Sequence, residues 1–510
     1  MKTFEKIISA IVISLTFVTY TDAQSAAPPV TKDFIFSAIK GASSKTDSII
    51  LPATAKSVKL TEGDTAFFKI VSFKNRKLQL RFSPPSNFTG IARSKLQVNN
   101  GLGKRISEID LTGLCTKGLE GENEAPLSDI VDALGYNINI GWTSLANHCM
   151  PELQGDELAA SLFQKAGNGK VEIIPVARYS PDFSLPFGYY FIKGSKPDTH
   201  PVAVLAKADA FPEHQTLFPA LETGSNFFDP GKNSFGFYAT GPTHSAYSED
   251  VWNMLYFPAN AVHATRIYPI KNKSGKPVSN TYILCFEEAK NGDYNDYVFI
   301  VKNITPVTKD PFVKLFNGKN LDGWNMFLRN IGSNTDPNKN FKIANNELFV
   351  SGKDLGYVIT EKGYQDFHFK VDFKWGEKRW APRENEKRDA GVCYNIPVSE
   401  PDSIWPQSIE CQVQEGDVGD FWLLGFSTIK VNGIQNIPAN HTRMIKQKDA
   451  ERSYGEWNTV EIISYKGKCV HIVNGVIVNV GEEASVKEGR ILLQSEYAEI
   501  YYRNVRIREL

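Results

Sequence analysis

Residues 405–422 read WPQSIECQVQEGDVGDFW, and their middle part alternates between polar and apolar side chains. The polar positions are Ser408, Glu410, Gln412 and Gln414. The apolar positions between them are Ile409, Cys411 and Val413. A period of two predicts a β-strand whose apolar side faces a core and whose polar side lines an open sheet surface. A solvated outer face is the alternative interpretation of the polar row.

The same periodicity extends over residues 312–510. Val371, Phe373 and Trp375 alternate with polar residues, and residues 473–476 (VNGV) have the composition of a hairpin turn. The whole chain has 12% aromatic residues. An aromatic-rich, glycine-rich chain with short alternating runs is typical of β proteins, so we predict a mainly β fold.

The first residues have the layout of a secretory signal peptide. Lys2 and Lys6 precede an apolar run over residues 7–20, and small residues follow up to Ala23. We expect cleavage near this point (signal over 1–23) and a secreted or periplasmic mature protein. A membrane anchor is the alternative, but the run is short for a bilayer span. No other stretch is long and apolar enough for a spanning helix.

Composition shifts divide the remaining chain into three blocks. Residues 33–104 show short strands that predict an immunoglobulin-like sandwich. Residues 105–305 predict a β-rich module with two helices, over 127–134 and over 156–165, the second opening on Asp156-Glu157. Residues 306–311 (PVTKDP) form a linker, and residues 312–510 form the last block.

The charge totals limit the classes of molecule that we expect this protein to bind. Lys and Arg number 57, Asp and Glu number 57, and the formal net charge is zero. A nucleic-acid binder usually has a basic excess, and we identify none in the totals or along the chain. Flat aromatic faces suit sugar rings, so the sequence favours a neutral sugar as ligand. The alternative, that the aromatic residues fill sandwich cores, explains most of them.

Six cysteines are spaced widely and form no CxxC or zinc pattern. Export permits disulfides, but Cys393, Cys411 and Cys469 each lie inside a β-like run. We therefore favour buried free thiols over bridges at these three positions.

The last block resembles a known family through several ordered motifs. They are residues 315–324 (LFNGKNLDGW), 388–392 (RDAGV), 405–422, 454–459 (YGEWNT), 489–496 (GRILLQSE) and 502–505 (YRNV). This pattern is similar to the 3-keto-disaccharide (3-keto-glucoside) hydrolase domain, a concanavalin-like β-sandwich of secreted bacterial proteins. The middle block resembles, more loosely, an accessory module of multidomain secreted proteins.

The resemblance implies a specific chemistry. A ketone at C3 of a sugar acidifies the hydrogen on C2, so a base can remove it and the C1 substituent can leave by elimination. Hydration then completes a net hydrolysis. Such a site needs a base, a stabiliser for the enolate oxygen and an acid. The candidates are Glu410 as base, Arg388 as oxyanion stabiliser and His471 as acid or metal ligand. The resemblance also implies a partner oxidoreductase that makes the ketone.

Two alternatives stay open for these side chains. Arg388 can instead form an ion pair with Asp389 or another acid, and a single histidine on a strand is often structural. A two-carboxylate retaining mechanism on this strand is not supported, because Gln412 and Gln414 do not ionise.

Further residues are candidates for sugar binding. They are Gln412, Gln414, Trp380, Trp405, Trp422, Tyr497 and Asp420. Tyr497 stands where the family commonly has glycine, which puts substrate preference in question.

The sequence establishes no cofactor. Calcium or another divalent metal bound in the middle block is a hypothesis. Hard oxygen ligands that suit calcium cluster there at Glu288, Asp293, Asn295 and Asp296. Three functional readings therefore remain: an enzyme acting on 3-keto-glycosides, a non-catalytic carbohydrate-binding protein, and a surface adhesion protein.

Overall fold

The computed structural model describes residues 34–119, 121–141, 150–193, 196–207, 213–259, 261–287 and 289–510. The signal peptide expected over 1–23 lies outside the described residues, and so does Cys149. Within the described part of the chain, no helix is long and apolar enough to cross a membrane.

The first block is a two-sheet sandwich, as the sequence predicts. Its strands are β1 (Phe34–Ile39), β2 (Asp47–Ile50), β3 (Ser57–Gly63), β4 (Phe68–Lys74), β5 (Lys77–Phe82), β6 (Gly90–Asn99) and β7 (Arg105–Thr116). One sheet has the order β1-β7-β6-β3 and the other the order β2-β5-β4. The apolar core between them contains residues of both sheets, including Phe34, Leu80 and Leu96.

The predicted boundary at residue 104 is wrong. Strand β7 pairs with β6 and β1, so it completes the first sheet instead of opening the middle block. Its inward residues Ile109 and Leu111 are buried in the first core. The first block therefore continues to Thr116.

The middle block contains two larger sheets and two short helices. The helices are α1 (Leu127–Ala133) and α2 (Asp250–Tyr256). The strands are β8 (Phe163–Lys165), β9 (Val171–Pro181), β10 (Leu185–Lys193), β11 (Lys196–Leu205), β12 (Glu213–Leu217), β13 (Leu221–Gly224), β14 (Phe227–Phe228), β15 (Gly236–Thr240), β16 (Ser245–Tyr247), β17 (Thr265–Lys271), β18 (Pro277–Phe286), β19 (Tyr297–Lys302) and β20 (Ile304–Pro306). Pro306 thus ends the last strand instead of starting the predicted linker.

Helix α1 is predicted correctly, whereas the helix predicted over 156–165 is wrong. The acidic pair that suggested a helix start makes tertiary contacts instead. Asp156 pairs with Lys271, their Oδ2 and Nζ atoms being 2.6 Å apart, and Glu157 forms an ion pair with the fully buried Arg266. These long-range contacts hold the segment without helical turns, and it ends in strand β8. The sequence analysis did not predict α2.

Glu157 also binds His263, which lies between two acids. His263 Nε2 is 2.9 Å from Glu157 Oε1, and Nδ1 is 3.0 Å from both carboxylate oxygens of Asp250 in α2. Burial lowers the pKa of His263, but the charges and hydrogen bonds of the two acids outweigh it and raise the pKa to about 9. The imidazolium therefore links α2 to the segment around Glu157.

This linkage predicts a pH-dependent stability. The pKa rises from an ordinary 6.5 to about 9, so the stabilisation is complete below about pH 6.5 and is lost as the pH rises through 9. It amounts to about 3 kcal/mol. We expect His263→Gln to lower the urea midpoint clearly at pH 6 and only slightly at pH 9.5. A deficit that is equal at both pH values would contradict a charged His263.

The last block is a sandwich of two large sheets, so the predicted β-sandwich is confirmed. The strands are β21 (Val313–Lys314), β22 (Trp324–Leu328), β23 (Gly332–Ser333), β24 (Phe341–Ala344), β25 (Glu347–Val350), β26 (Gly356–Thr360), β27 (Tyr364–Gln365), β28 (Phe367–Arg379), β29 (Gly391–Ile396), β30 (Ser408–Gln412), β31 (Phe421–Leu424), β32 (Lys430–Val431), β33 (Ile434–Gln435), β34 (His441–Met444), β35 (Asn458–Tyr465), β36 (Lys468–Val473), β37 (Val476–Glu482), β38 (Glu488–Ser495) and β39 (Ala498–Glu509).

Nine of these strands form the sheet that carries the quoted motif. Its main order is β23-β22-β26-β38-β29-β30-β31-β34, with β27 added at β38. The other ten strands form the second sheet, in the main order β24-β25-β39-β28-β35-β36-β37-β32-β33, with β21 added at β39. An apolar core fills the space between the sheets. The described cysteines are all buried free thiols, as predicted for Cys393, Cys411 and Cys469.

The middle block packs on the outer face of the ten-stranded sheet. Helix α2 contributes Val251, Trp252 and Leu255 to an apolar cluster whose members from β35 and β36 are Ile463, Tyr465, Val470 and Ile472. Within the cluster, Glu249 Oε1 lies 2.8 Å from Arg508 Nη2 of β39. Both the apolar cluster and the buried ion pair thus join the two blocks.

Candidate active site

The quoted strand has the two faces that its sequence predicts. Ile409, Cys411 and Val413 are fully buried in the sandwich core. Glu410 lies on the opposite side of β30, between Cys393 of β29 and Trp422 of β31 in the sheet register. We call this side of the nine-stranded sheet, turned away from the core, the cleft face.

Three carboxyl groups lie close together on the cleft face, and two of them pair with one guanidinium. Arg383 Nη1 lies 2.6 Å from Asp389 Oδ2 and 2.8 Å from Glu496 Oε1. Glu410 is the third carboxyl, and its side chain lies over Gly391, where a Cβ would overlap Glu410 Oε1. Asp389, Glu410 and Glu496 are named the carboxyl cluster below. Its formation requires a glycine at position 391.

The carboxyl cluster has unusual proton affinities. Burial, followed by the charges of Glu496 and Asp389, raises the pKa of Glu410 well above its ordinary range. Burial and the charge of Asp389 raise the pKa of Glu496 to about 8, although Arg383 opposes the shift. Burial also raises the pKa of Asp389 against the effect of Arg383. Arg383 offsets the charges of Asp389 and Glu496, whereas Glu410 has no cationic partner among these groups, so burial favours its protonated form.

Amide side chains complete the cluster. Gln414 Nε2 donates to Asp389 Oδ2 at 2.6 Å, so Gln414 lies beside the carboxyl cluster. Gln412 turns back on its own strand, and its Oε1 accepts the backbone N–H of Val413 at 2.8 Å. Gln494 Oε1 and Asp389 Oδ1 are buried and have no hydrogen-bond partner among the described residues. A ligand hydroxyl group that entered the cluster would satisfy these two unpaired acceptors.

The prediction that Arg388 stabilises an oxyanion is wrong for this structure. Arg388 Nη1 lies 2.8 Å from Glu415 Oε1, and its Nε donates to the carbonyl of Gly376 at 3.0 Å. Its guanidinium also stacks 4.3 Å from the centre of the Tyr454 ring. These contacts occupy Arg388 away from Glu410. Arg383, five residues earlier, is the guanidinium of the carboxyl cluster.

His471 is also not a cleft residue. It is fully buried in the sandwich core, with Nε2 2.9 Å from Tyr394 Oη and Nδ1 3.0 Å from the carbonyl oxygen of Gly419. Burial lowers its pKa to about 3, so it is neutral at any physiological pH. Its role is to join the two sheets, not to transfer a proton or bind a metal.

Asp420 is predicted to bind sugar, but its carboxylate has protein partners. It is fully buried and accepts Arg443 Nε at 2.6 Å and the backbone N–H of Lys446 at 2.7 Å. These charged contacts fix the turn between β30 and β31. Asp420 therefore positions the neighbouring strand that carries Trp422.

Two of the predicted tryptophans belong to the cleft face. Trp405 and Trp422 are half-buried and pack on an apolar cluster of this face that contains Tyr357, Ile359 and Leu492. Trp422 is the register neighbour of Glu410, so one aromatic side chain lies beside the carboxyl cluster. Aromatic rings at this place can stack on a sugar ring.

Trp380 and Tyr497 form a second wall near Glu496. The backbone N–H of Trp380 donates to the carbonyl of Tyr497 at 2.8 Å, and Trp380 Nε1 donates to the carbonyl of Ser351 at 2.8 Å. Lys378 Nζ lies 3.6 Å from the ring centre of Trp380 and covers one face of it. Tyr497 has a φ of 57°, a left-handed backbone that glycine adopts without strain. This explains why glycine is common at this position.

The predicted calcium site has no support among the described residues. None of them forms a group of three or more His, Cys, Asp or Glu side chains that could hold a metal. The buried Glu287 carboxylate accepts three backbone N–H groups of residues 289–294. Asn295 donates to the carbonyl of Ala125, Asp293 accepts Asn291 Nδ2, and Asp296 is buried. Glu288 lies outside the described residues.

Two cavities of the structure lie away from the carboxyl cluster. One, of about 290 Å³, is at the junction of the first and middle blocks and includes Arg93, Asp132 and Lys273. The other, of about 1130 Å³, is an open groove at residues 363–365, 397–399 and 485–489. Neither contains a member of the carboxyl cluster, so we assign the candidate site by its chemistry.

Several solved structures are similar to part of this chain at low identity. A proposed glycosyl hydrolase from Parabacteroides distasonis is 19% identical, with 40% of this chain and 98% of that chain covered and a TM-score of 0.29. A carbohydrate-binding module from Bacillus subtilis is 10% identical, covering 36% and 95%, with a TM-score of 0.27. A β-glucanase from Bacillus licheniformis is 13% identical, covering 39% and 97%, with a TM-score of 0.26.

No curated protein matches the chain. Residues 311–508 match the sequence profile of a family described as the 3-keto-alpha-glucoside-1,2-lyase-like domain. The match spans the whole sandwich that carries the carboxyl cluster and leaves the two preceding blocks outside. The last block of this protein is therefore similar in sequence to the 3-keto-alpha-glucoside-1,2-lyase-like domain family.

Proposed function

We propose that the protein cleaves 3-keto-glycosides by elimination across C1 and C2. The observation that carries the proposal is the carboxyl cluster on the cleft face, in which Arg383 pairs with Asp389 and Glu496 while Glu410 lies beside them without a cationic partner. A 1,2-elimination needs one group that removes the C2 proton and one that protonates the leaving oxygen. Neighbouring carboxyls with different proton affinities can supply both.

The proton affinities favour a particular division of roles. Glu496 lies beside Arg383, which favours its carboxylate form, and is the proposed base for C2. Glu410 keeps its proton and is the proposed acid. The C2–H electrons form the C1=C2 bond, the C1–O electrons leave with the aglycone oxygen, and Glu410 protonates that oxygen. This exchanges the role that the sequence analysis gives to Glu410.

Arg383 and the aromatic residues have supporting roles in this proposal. The Arg383 guanidinium stays charged at any working pH and offsets the negative charge that develops on the enolate. Trp405 and Trp422 provide the apolar surface on which a sugar ring can rest. Addition of water to the unsaturated product completes a net hydrolysis.

The test uses the full chain, because the last block shares an apolar cluster with the middle block. Methyl 3-keto-glucoside should release methanol and an unsaturated keto sugar, whereas methyl glucoside should be unchanged, since its C2 hydrogen is not acidic. In D₂O, the keto sugar product should carry deuterium at C2 after hydration. Release without deuterium at C2 would contradict elimination, and binding of the keto sugar without release would favour a carbohydrate-binding protein.

Two further proposals follow from the same function. A separate oxidoreductase must supply the C3 ketone, because the proposed site uses only carboxyl and guanidinium groups. We also propose that the protein acts after export, on the basis of the basic and apolar residues at positions 1–23.

A further inference from the structure

The zero net charge of the chain conceals a strong asymmetry. Residues 34–116 contain 13 Lys and Arg but 5 Asp and Glu, a formal charge of +8. Residues 117–510 contain 41 Lys and Arg and 49 Asp and Glu, a formal charge of −8. The sequence-based statement that no basic excess occurs along the chain is therefore wrong. A charge asymmetry of this size between domains indicates an interaction surface.

Part of the positive charge is arranged on one face of the first block. In the sheet β2-β5-β4, Leu78 and Leu80 point into the core, so Lys77, Gln79 and Arg81 point outward. Across the strands, Lys74 stands opposite Lys77, and Lys69 stands opposite Arg81. We call the outward side of this sheet the cationic face.

These pairs are unfavourable for the isolated fold. Like charges directly opposite each other in a sheet are destabilising. The four cationic side chains of these pairs form no ion pair with any residue that the structure describes. They are Lys69, Lys74, Lys77 and Arg81. The hairpin tip adds Arg76 at a φ of 67°, a position where glycine is usual. A face that accepts these costs is suited to an anionic partner.

The spacing of the charges indicates the form of that partner. Lys77 and Arg81 are four residues apart on β5, so the two cation pairs are about 13 Å apart. A single small anion cannot reach both pairs, whereas a polymer with repeated anionic groups can. Between the pairs lie Ser72 and Gln79, whose side chains are joined by a 2.6 Å hydrogen bond. This polar row can hydrogen-bond to the hydroxyl groups of a sugar chain.

We infer that the first block binds an anionic polysaccharide, one carrying sulfate or carboxylate groups, through the cationic face. Single-stranded nucleic acid is a poorer fit, because the paired outward positions of this sheet carry no aromatic ring for stacking. A bilayer is also a poorer fit, because Ile50 is the single aliphatic residue at the paired outward positions, and the other exposed aliphatic residues of the sheet, Ile70 and Val71, lie at the bulge of β4 between the cation pairs. The inference is independent of the chemistry proposed for the last block.

The experiment measures binding of the full chain to dextran sulfate, with neutral dextran as the uncharged comparison. We expect binding to dextran sulfate that weakens with salt, and none to dextran. Lys74→Gln with Arg81→Gln removes one cation from each pair and should weaken binding about tenfold. The matched control is Lys56→Gln with Lys59→Gln, which removes the same amount of charge. Lys59 lies in β3 of the other sheet and Lys56 just precedes β3, so this variant should change binding less than about twofold. Polygalacturonate in place of dextran sulfate distinguishes carboxylate from sulfate recognition.

Each other outcome rejects the inference. An equal loss in both double variants would mean that net charge, not the cationic face, determines binding. Equal or tighter binding to phosphatidylglycerol vesicles or to an oligothymidine would assign the face to a different partner. Absence of binding to both anionic polysaccharides, with an unchanged melting temperature, would also overturn it.

Discussion

Glu410→Gln is expected to lose about 10²- to 10⁴-fold in turnover of methyl 3-keto-glucoside, since a positioned acid or base contributes that much. The substitution keeps the shape of the side chain beside Gly391 and Gln494 but removes its proton transfer. The variant should still fold. An acid whose pKa is raised by burial destabilises the folded state above its unfolded pKa, so the neutral amide should melt at an equal or higher temperature at pH 8.

The leaving group separates the two roles that a carboxyl can have here. If Glu410 is the acid, a 4-nitrophenyl 3-keto-glucoside should lose less than about tenfold in the variant, because nitrophenolate leaves without protonation. If Glu410 is instead the base, both substrates should be affected equally. Glu496→Gln, which removes the proposed base, should suppress turnover of both substrates.

The pH profile gives an independent check. Wild-type activity should rise as Glu496 loses its proton near pH 8 and fall where Glu410 loses its own. The fall should be absent in Glu410→Gln. A matched control is Glu482→Gln, a change at a carboxylate that is 60% exposed, which should leave rate and profile unchanged. A normal rate for Glu410→Gln would exclude Glu410 from the chemistry.

The sequence predicted the local strand geometry of the site better than it predicted which residues form the site. The period of two in residues 408–414 located Glu410 on the polar side of its strand, because strand alternation depends only on local geometry. The same rule indicates that His471 shares one side of its strand with Cys469 and Val473, and that this side faces the core. His471 was instead predicted to act as an acid or a metal ligand, because imidazole can do both, but it is fully buried.

Residues from distant segments could not be combined from the sequence. Arg383 lies in a charged loop, and Glu496 follows β38, more than 100 residues later. Their contact depends on how β29 and β38 pair, which no local pattern specifies. Asp389 and Glu496 were inside the quoted motifs, but a motif alone does not indicate which carboxyl meets which guanidinium. The helix predicted at Asp156 failed for the same reason, since its acids bind partners about 110 residues away.

The ion pair between the middle and last blocks leads to the second large expected effect. Glu249 is buried, its Oε2 accepts Tyr190 Oη at 2.8 Å and Trp252 Nε1 at 3.0 Å, and its Oε1 faces Arg508. Arg508→Met would leave a buried carboxylate without its cation. We expect a cost of about 3–5 kcal/mol in the free energy of unfolding, measured by urea denaturation of the full chain.

A double variant distinguishes the charge effect from simple loss of packing. Glu249→Gln keeps an acceptor for Tyr190 and Trp252 but removes the charge, so combining it with Arg508→Met should recover most of the lost stability. Arg506→Met, on the same strand but 40% exposed and 3.5 Å from Asp310, is the matched control and should cost less than about 0.5 kcal/mol. If Arg508→Met cost no more than this control, the ion pair would not hold the blocks together. A cost that the double variant relieves would instead mean that the unpaired buried charge of Glu249, and not lost packing, destabilises the joint between the middle and last blocks.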